Sequence, residues 1–155
     1  MKKLVLVSAA AVALCGVAFA QQRPAPNAAQ TIQARQANYK QMAAAQKGIS
    51  EQLRSGSPDI AQIRTRAAFL ADRSVHVLRW FPRGTGPEAG VRTRAKGEIW
   101  SDHAGFQRAG ANFVVAARAL NRAASSGDIA QVRAAFPGVG RSCGACHDGY
   151  RVPAE

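Results

Sequence analysis

Two thiols and an imidazole fall within five consecutive residues, Cys143-Gly144-Ala145-Cys146-His147. Cysteines three apart on a helical turn share one face, and that spacing lets two thiols reach the two vinyl groups of one porphyrin and close thioether bonds. The imidazole that follows is then aimed at the porphyrin metal. The run therefore predicts one covalently attached haem c, held by Cys143 and Cys146, with His147 as the axial iron ligand. The same pair could instead form a disulfide or the centre of a thiol oxidoreductase. Thioredoxin-type sites set their pair after a strand, at a helix N-terminus, and the sequence offers no strand-like segment to supply one.

Thioether attachment suits a compartment in which lost haem is not replaced, and the start of the chain directs it to one. Lys2 and Lys3 precede an uncharged stretch from Leu4 to Ala18, and Ala18-Phe19-Ala20 gives the small-x-small cleavage pattern. Residues 1–20 are expected to be a removed signal peptide, not an anchor, which places the protein in the periplasm. Cys15 follows Leu14, where lipoprotein processing needs a small side chain, so lipidation is not expected. Gln21–Glu155 is long enough for one domain with one core, and residues 21–30, rich in Pro, Ala, Asn and Gln, are expected to be flexible.

The formal charge is +12, and it stays strongly positive once Lys2 and Lys3 are gone. Nucleic acid is the usual partner for such a balance. Here the cations are scattered singly, without interleaved aromatics, and export argues against it, so no nucleic-acid partner is expected. An acidic redox partner or an anionic membrane surface suits the charge, and solubility alone is the plainest reading.

Hydrophobic period supplies the elements that must position the motif. Between Thr31 and Leu53 the residues Ile32, Tyr39, Met42, Ile49 and Leu53 lie on one helical face. Gly56 is expected to close that helix, and Ser57, Pro58 and Asp59 to open the next as cap, first-turn proline and dipole-compatible acid. The second stripe is Ile60, Ile63, Ala67, Leu70 and then Val77 or Leu78, with Pro82 as its stop. The third runs Phe106, Ala109, Phe113, Ala116, Leu120, Ala123 and ends at Gly127. Asp128 caps a fourth helix with the stripe Ile129, Val132, Phe136, Val139, Cys143, Cys146, Tyr150. Both cysteines thus continue the buried face, so the haem they carry must enter the interior. Pro137 is expected to kink this helix or cost it a hydrogen bond. A Gly- and Pro-rich stretch, 81–97, is the one long connection. The layout predicts an all-α, antiparallel up-down-up-down four-helix bundle over residues 31–155, with the haem in its core near the C-terminal helix.

With eight residues after His147, a protein ligand on the other face of the haem is expected from upstream, and the candidates are Met42, His76 and His103. His76 lies off its apolar stripe and His103 in a first helical turn, both solvent-facing placements, whereas Met42 faces the core. No carboxylate pair or nucleophile–base set suggests turnover, so the expectation is a non-enzymatic carrier or sensor.

Three stretches carry a resemblance: Cys143-Gly144-Ala145-Cys146-His147-Asp148-Gly149-Tyr150-Arg151, Arg35-Gln36-Ala37-Asn38-Tyr39, and Glu98-Ile99-Trp100-Ser101-Asp102. The chain resembles the class II c-type cytochromes, and within them the cytochrome c′ family, over essentially all of Gln21–Glu155. The resemblance implies a four-helix bundle, a homodimer packed through its first two helices, Arg35 near a haem propionate, Arg151 beside the proximal face, and a match at Trp100 whose expected role is core packing. It also implies that the residue four after Arg35, here Tyr39, faces the vacant side of the haem. A neutral phenol is a poor iron ligand, so Tyr39 is expected to cap a high-spin, five-coordinate site that binds NO and CO and disfavours O2. The alternative is a low-spin electron carrier of the cytochrome c-556 type, with Met42 as sixth ligand.

Overall fold

The structure, a computed structural model, describes residues 27–153; the expected signal peptide with Cys15, and residues 21–26, lie outside the described residues. Four long helices dominate: α1 (Ala28–Arg54), α2 (Ile60–Ser74), α4 (His103–Ser126) and α5 (Ile129–Tyr150), with a single-turn helix α3 (Glu98–Ser101) before α4. Among the described residues the only β pairing is an isolated antiparallel bridge, Ala95 with Arg151. The bundle expected from the hydrophobic period is the one observed.

Each helix forms for local reasons. α1 is built largely from Ala, Gln and Lys, strong helix formers, and begins at Ala28, inside the stretch expected to be flexible. It closes at Ser55, whose N–H bonds the carbonyls of Gln52 and Glu51; Gly56 is not left-handed and does not serve as its stop. The cap of α2 is Asp59, not Ser57, because its carboxylate accepts from the N–H groups of Ala61 at 2.9 Å and Gln62 at 3.1 Å. Asp128 caps α5 in the same way through Ala130 and Gln131. Gly127 ends α4 with φ 81°, a conformation that favours glycine.

One expectation is adjusted. α2 stops at Ser74, whose hydroxyl turns back to the Ala71 carbonyl at 2.8 Å, and a separate 3-10 turn carries Val77–Trp80. That break shifts the phase, so Val77 enters the core while Leu78 lies over Gly110, where an added Cβ would come within 2.7 Å of it. α5 is helical on both sides of Pro137, which sits exposed on its outer face and, having no N–H, costs the helix one hydrogen bond as expected.

The main core is a stack in which Ile49 of α1, Ile63 of α2, Leu120 of α4 and Val132 of α5 are all fully buried, and a smaller cluster of Ala95, Ile99 and Phe106 lies apart from it. Each such side chain contributes about 1.5–3 kcal/mol relative to leaving it in water. α5 packs along α4, α4 along α2 and α2 along α1. The circuit does not close as tightly between α1 and α5, and this gap positions the site.

Candidate haem site

Between α1 and α5 lies a cavity of about 390 Å³. From α5 it is lined by Val139, Cys143, Cys146, His147 and Tyr150, and from α1 by Arg35, Tyr39 and Met42. Leu70, Val77, Phe81, Phe106 and Phe113 supply an apolar floor and sides. The residues singled out from the sequence, Arg35, Tyr39, Met42, Cys143, Cys146, His147 and Arg151, therefore all border one space. His76 and His103 do not line it.

The sulfurs face the cavity because α5 keeps one register: Val132 and Val139 are fully buried, and the next positions on that stripe are Cys143 and Cys146. Burial pushes both thiols up from their ordinary value, and for Cys146 the neighbouring Cys143 adds to it while Arg151 opposes. Reactive redox cysteines show the reverse shift, so thiol oxidoreductase chemistry is poorly served here. Burial also holds the His147 imidazole below its ordinary value, with Arg151 and Arg94 acting in the same direction. A neutral imidazole with a free lone pair is the form that ligates a metal.

Tyr39 stands on the α1 wall, edge-on to Trp80 with ring centroids 5.4 Å apart and tilted against Phe81 at 6.3 Å. Burial raises its phenol well above the ordinary tyrosine value, and Cys146 adds to the shift while Arg35 opposes it. It is therefore protonated at neutral pH. Met42, three residues on, is 7 % exposed and packs in the core at the same wall.

Arg35 is not a surface arginine: it is 3 % exposed. Its guanidinium donates to Thr85 Oγ1 at 2.9 Å, to the Thr85 carbonyl at 2.7 Å and to Thr93 Oγ1 at 2.8 Å, and lies 4.6 Å from the Phe81 ring centroid. All three acceptors are neutral. These bonds use three of the five guanidinium N–H groups, which leaves Nε–H and one Nη1–H without a side-chain or backbone acceptor among the described residues. A buried cation without a carboxylate partner is costly, and a porphyrin propionate is the kind of group that would relieve it.

The long connection is a strap joining the two walls. Arg35 grips it at Thr85 and Thr93, and Gln36 Nε2 bonds the Arg92 carbonyl at 3.0 Å. Two residues later it is stitched to the end of α5: Lys96 N–H to the Tyr150 carbonyl at 3.1 Å, Val152 N–H to the Arg94 carbonyl at 2.8 Å, and Lys96 Nζ to the Asp148 carbonyl at 2.9 Å. Tyr150 also donates its hydroxyl to Asp102 at 2.7 Å, while Asp102 caps α4 at Gly105. Gly105 is needed here, because a Cβ would collide with the Asp102 carboxylate and the Tyr150 hydroxyl. Trp100 Nε1 anchors the strap through the carbonyls of Phe81 and Pro82. Thr85, Thr93, Arg94 and Phe81 belong to this site and were not singled out from the sequence. Their partners are about fifty residues away, and the stretch signals only a connection.

The donor set, the apolar walls and the under-bonded Arg35 fit a porphyrin, and similarity to known proteins agrees. A family model described as Cytochrome C′ matches residues 30–151. A cytochrome c′ of Alcaligenes xylosoxydans xylosoxydans is 42% identical over 93 residues, spanning 60% of this chain and 69% of that protein. Among solved structures, a cytochrome c′ described by its unusual ligand-controlled dimer dissociation superposes with a TM-score of 0.77 at 27% identity, covering 83% of this chain and 99% of that one. A nitric oxide complex of a cytochrome c prime mutant from Alcaligenes xylosoxidans gives 0.73 at 33% identity, covering 81% and 97%. Proteins of this family carry covalently attached haem c, and the Cys143–His147 run has the attachment spacing. The chain belongs to the cytochrome c′ family.

Proposed function

We propose that this protein is a periplasmic monohaem cytochrome whose haem is joined to Cys143 and Cys146, ligated on one side by His147 and left without a protein ligand on the other, where it binds NO and CO. The observation that carries this is the composition of the two walls. α5 offers two thiols and a neutral imidazole, while α1 offers Tyr39, a phenol kept protonated by burial. The haem when bound supplies the iron that takes up a diatomic ligand or an electron. The chain's own residues do the rest: the thiols fix it, Arg35 meets a propionate, Arg151 borders the His147 side, and the aromatic cluster Tyr39, Phe81 and Phe106 keeps the other side apolar. A distal side walled by aromatic rings suits NO and CO, which need no hydrogen-bond donor. The nitric oxide complex of the Alcaligenes relative supports this reading.

Binding and electron exchange, without turnover, are part of the proposal. Homodimer formation through α1 and α2 is part of the proposal. It is supported by the dimer of the related structure and by the small exposed residues Ala34, Ala37 and Ala44 on the outer face of α1. Because Met42 borders the same cavity, a second reading is a six-coordinate electron carrier with that thioether bound. A visible spectrum with and without CO tests the two. A broad high-spin spectrum whose reduced Soret band shifts on CO addition is expected, and a sharp low-spin spectrum indifferent to CO would replace the proposal with the Met42 reading.

A further inference from the structure

The mouth of the cavity carries charge that the haem site does not use up. Its exposed cations are Lys40 of α1, Arg94 of the strap and Arg151 beyond α5, with Arg35 buried behind them, and no carboxylate lines it. Arg92 and Lys96 adjoin this rim, held there by the bonds to Gln36 and to the Asp148 carbonyl. The acids that act on lining residues are Asp148, which acts on His147, Glu88, which acts on Arg35 and accepts from the Gly86 N–H at 3.1 Å, and Asp102, which is occupied by the Tyr150 hydroxyl and the Gly105 N–H. Among the described residues the ion pairs are Lys47 with Glu51 and Arg73 with Asp72, both away from the mouth. Two haem propionates would engage Arg35 and part of the rim and still leave it positive. Like charges gathered round a concave opening raise the local concentration of anionic reactants.

We propose that this rim is the docking surface for the acidic face of a one-electron carrier protein. The proposal rests on the haem reading above. One electron passes from the reduced carrier to the ferric haem, leaving the oxidised carrier and ferrous haem, and no bond is made or broken. An anionic membrane is the weaker fit. Membrane-surface binding pairs cations with inserted apolar side chains, and of the exposed large apolar residues Val75, Leu78, Val115 and Val152 only Val152 adjoins the rim.

The test uses the haem-loaded protein and flavodoxin, an acidic flavoprotein, as the probe. Oxidised flavodoxin is titrated calorimetrically for affinity, and reduced flavodoxin is mixed in stopped flow for the rate of haem reduction. The variant pair Lys40→Glu with Arg94→Glu is expected to weaken association at least about tenfold at low salt and to flatten its salt dependence, since rim charges act on the association rate. Lys40→Glu alone, at an exposed helical position, should give an intermediate loss. Arg54→Glu is the control: it lies on α1 fourteen residues beyond Lys40, about 21 Å along the axis, and should bind flavodoxin as the parent does. Equal affinity in the pair variant and the control would overturn the proposal. So would a parent protein that ignores flavodoxin yet binds phosphatidylglycerol vesicles through Lys40 and Arg94. The Soret band of each preparation reports the haem separately, so a chain that carries none overturns the haem reading and is not mistaken for a failed docking surface.

Discussion

Replacing Tyr39 with alanine should open the side of the haem that faces α1. The phenol ring is held by Trp80 at 5.4 Å and by Phe81 at 6.3 Å, so it cannot swing aside without giving up both contacts. Aromatic pairs of this kind are worth about 0.5–1.5 kcal/mol each, which sets the cost of moving the ring for an incoming ligand at about 1–3 kcal/mol. At about 1.4 kcal/mol per factor of ten, Tyr39→Ala is expected to raise CO affinity roughly 5- to 150-fold. Tyr39→Phe keeps the ring and both contacts and should bind CO as the parent does, which separates the ring's bulk from its hydroxyl. The assay is a CO titration of the reduced protein followed at the Soret band. Parent-like affinity in Tyr39→Ala would mean that the ring does not obstruct the ligand and that α1 presents another residue to the iron. A sharp, CO-insensitive spectrum in that variant would mean that Met42 had taken the vacated position.

Arg35→Met removes three hydrogen bonds from the strap and leaves the buried Thr85 acceptors short of a donor, a loss of about 2–4 kcal/mol that should appear as a lower urea midpoint. Leu120→Ala, at a fully buried position that does not line the cavity, should cost about 2–5 kcal/mol with CO affinity unchanged. Both tyrosines are shifted up, Tyr39 chiefly by burial and Tyr150 chiefly by its bond to Asp102. The folded chain therefore holds phenol protons that the unfolded chain releases near pH 10, so the stability they contribute is present below about pH 10 and lost as the pH climbs towards the folded values. An ultraviolet titration of the native protein should accordingly show phenolate later than the urea-unfolded protein does. Asp102 is shifted down by Tyr150 and by the Gly105 N–H, so its contribution is present above the ordinary carboxylate range and lost as the pH falls through its folded value. Asp102→Asn should flatten that part of the acid-unfolding curve.

Much of this architecture is legible in the order of residues. The stripe that runs from Val132 through Val139 to Cys143 and Cys146 places the thiols on the inside of α5 because a helix repeats its faces faithfully over about four turns. The same regularity brings Tyr39 and Met42 to the facing helix. Capping is also readable, although Asp59 took the role expected of Ser57, since a carboxylate reaches two N–H groups at once. Legibility fails where contacts skip along the chain. Nothing in the local pattern around Arg35 says that it is buried, because the groups that bury it, Thr85, Thr93 and Phe81, belong to a glycine-rich connection without period. The break at Ser74 was likewise invisible: the apolar period of α2 continues into Val77, while the backbone has already turned.

The most direct test of the central claim is the intact mass of the protein matured in cells with the c-type cytochrome assembly machinery, taken after acid–acetone extraction of any free haem. One haem retained on the peptide that contains Cys143 and Cys146 is the result expected. An unmodified mass with haem in the extract, or a mass showing only a Cys143–Cys146 disulfide, would contradict covalent attachment at these residues.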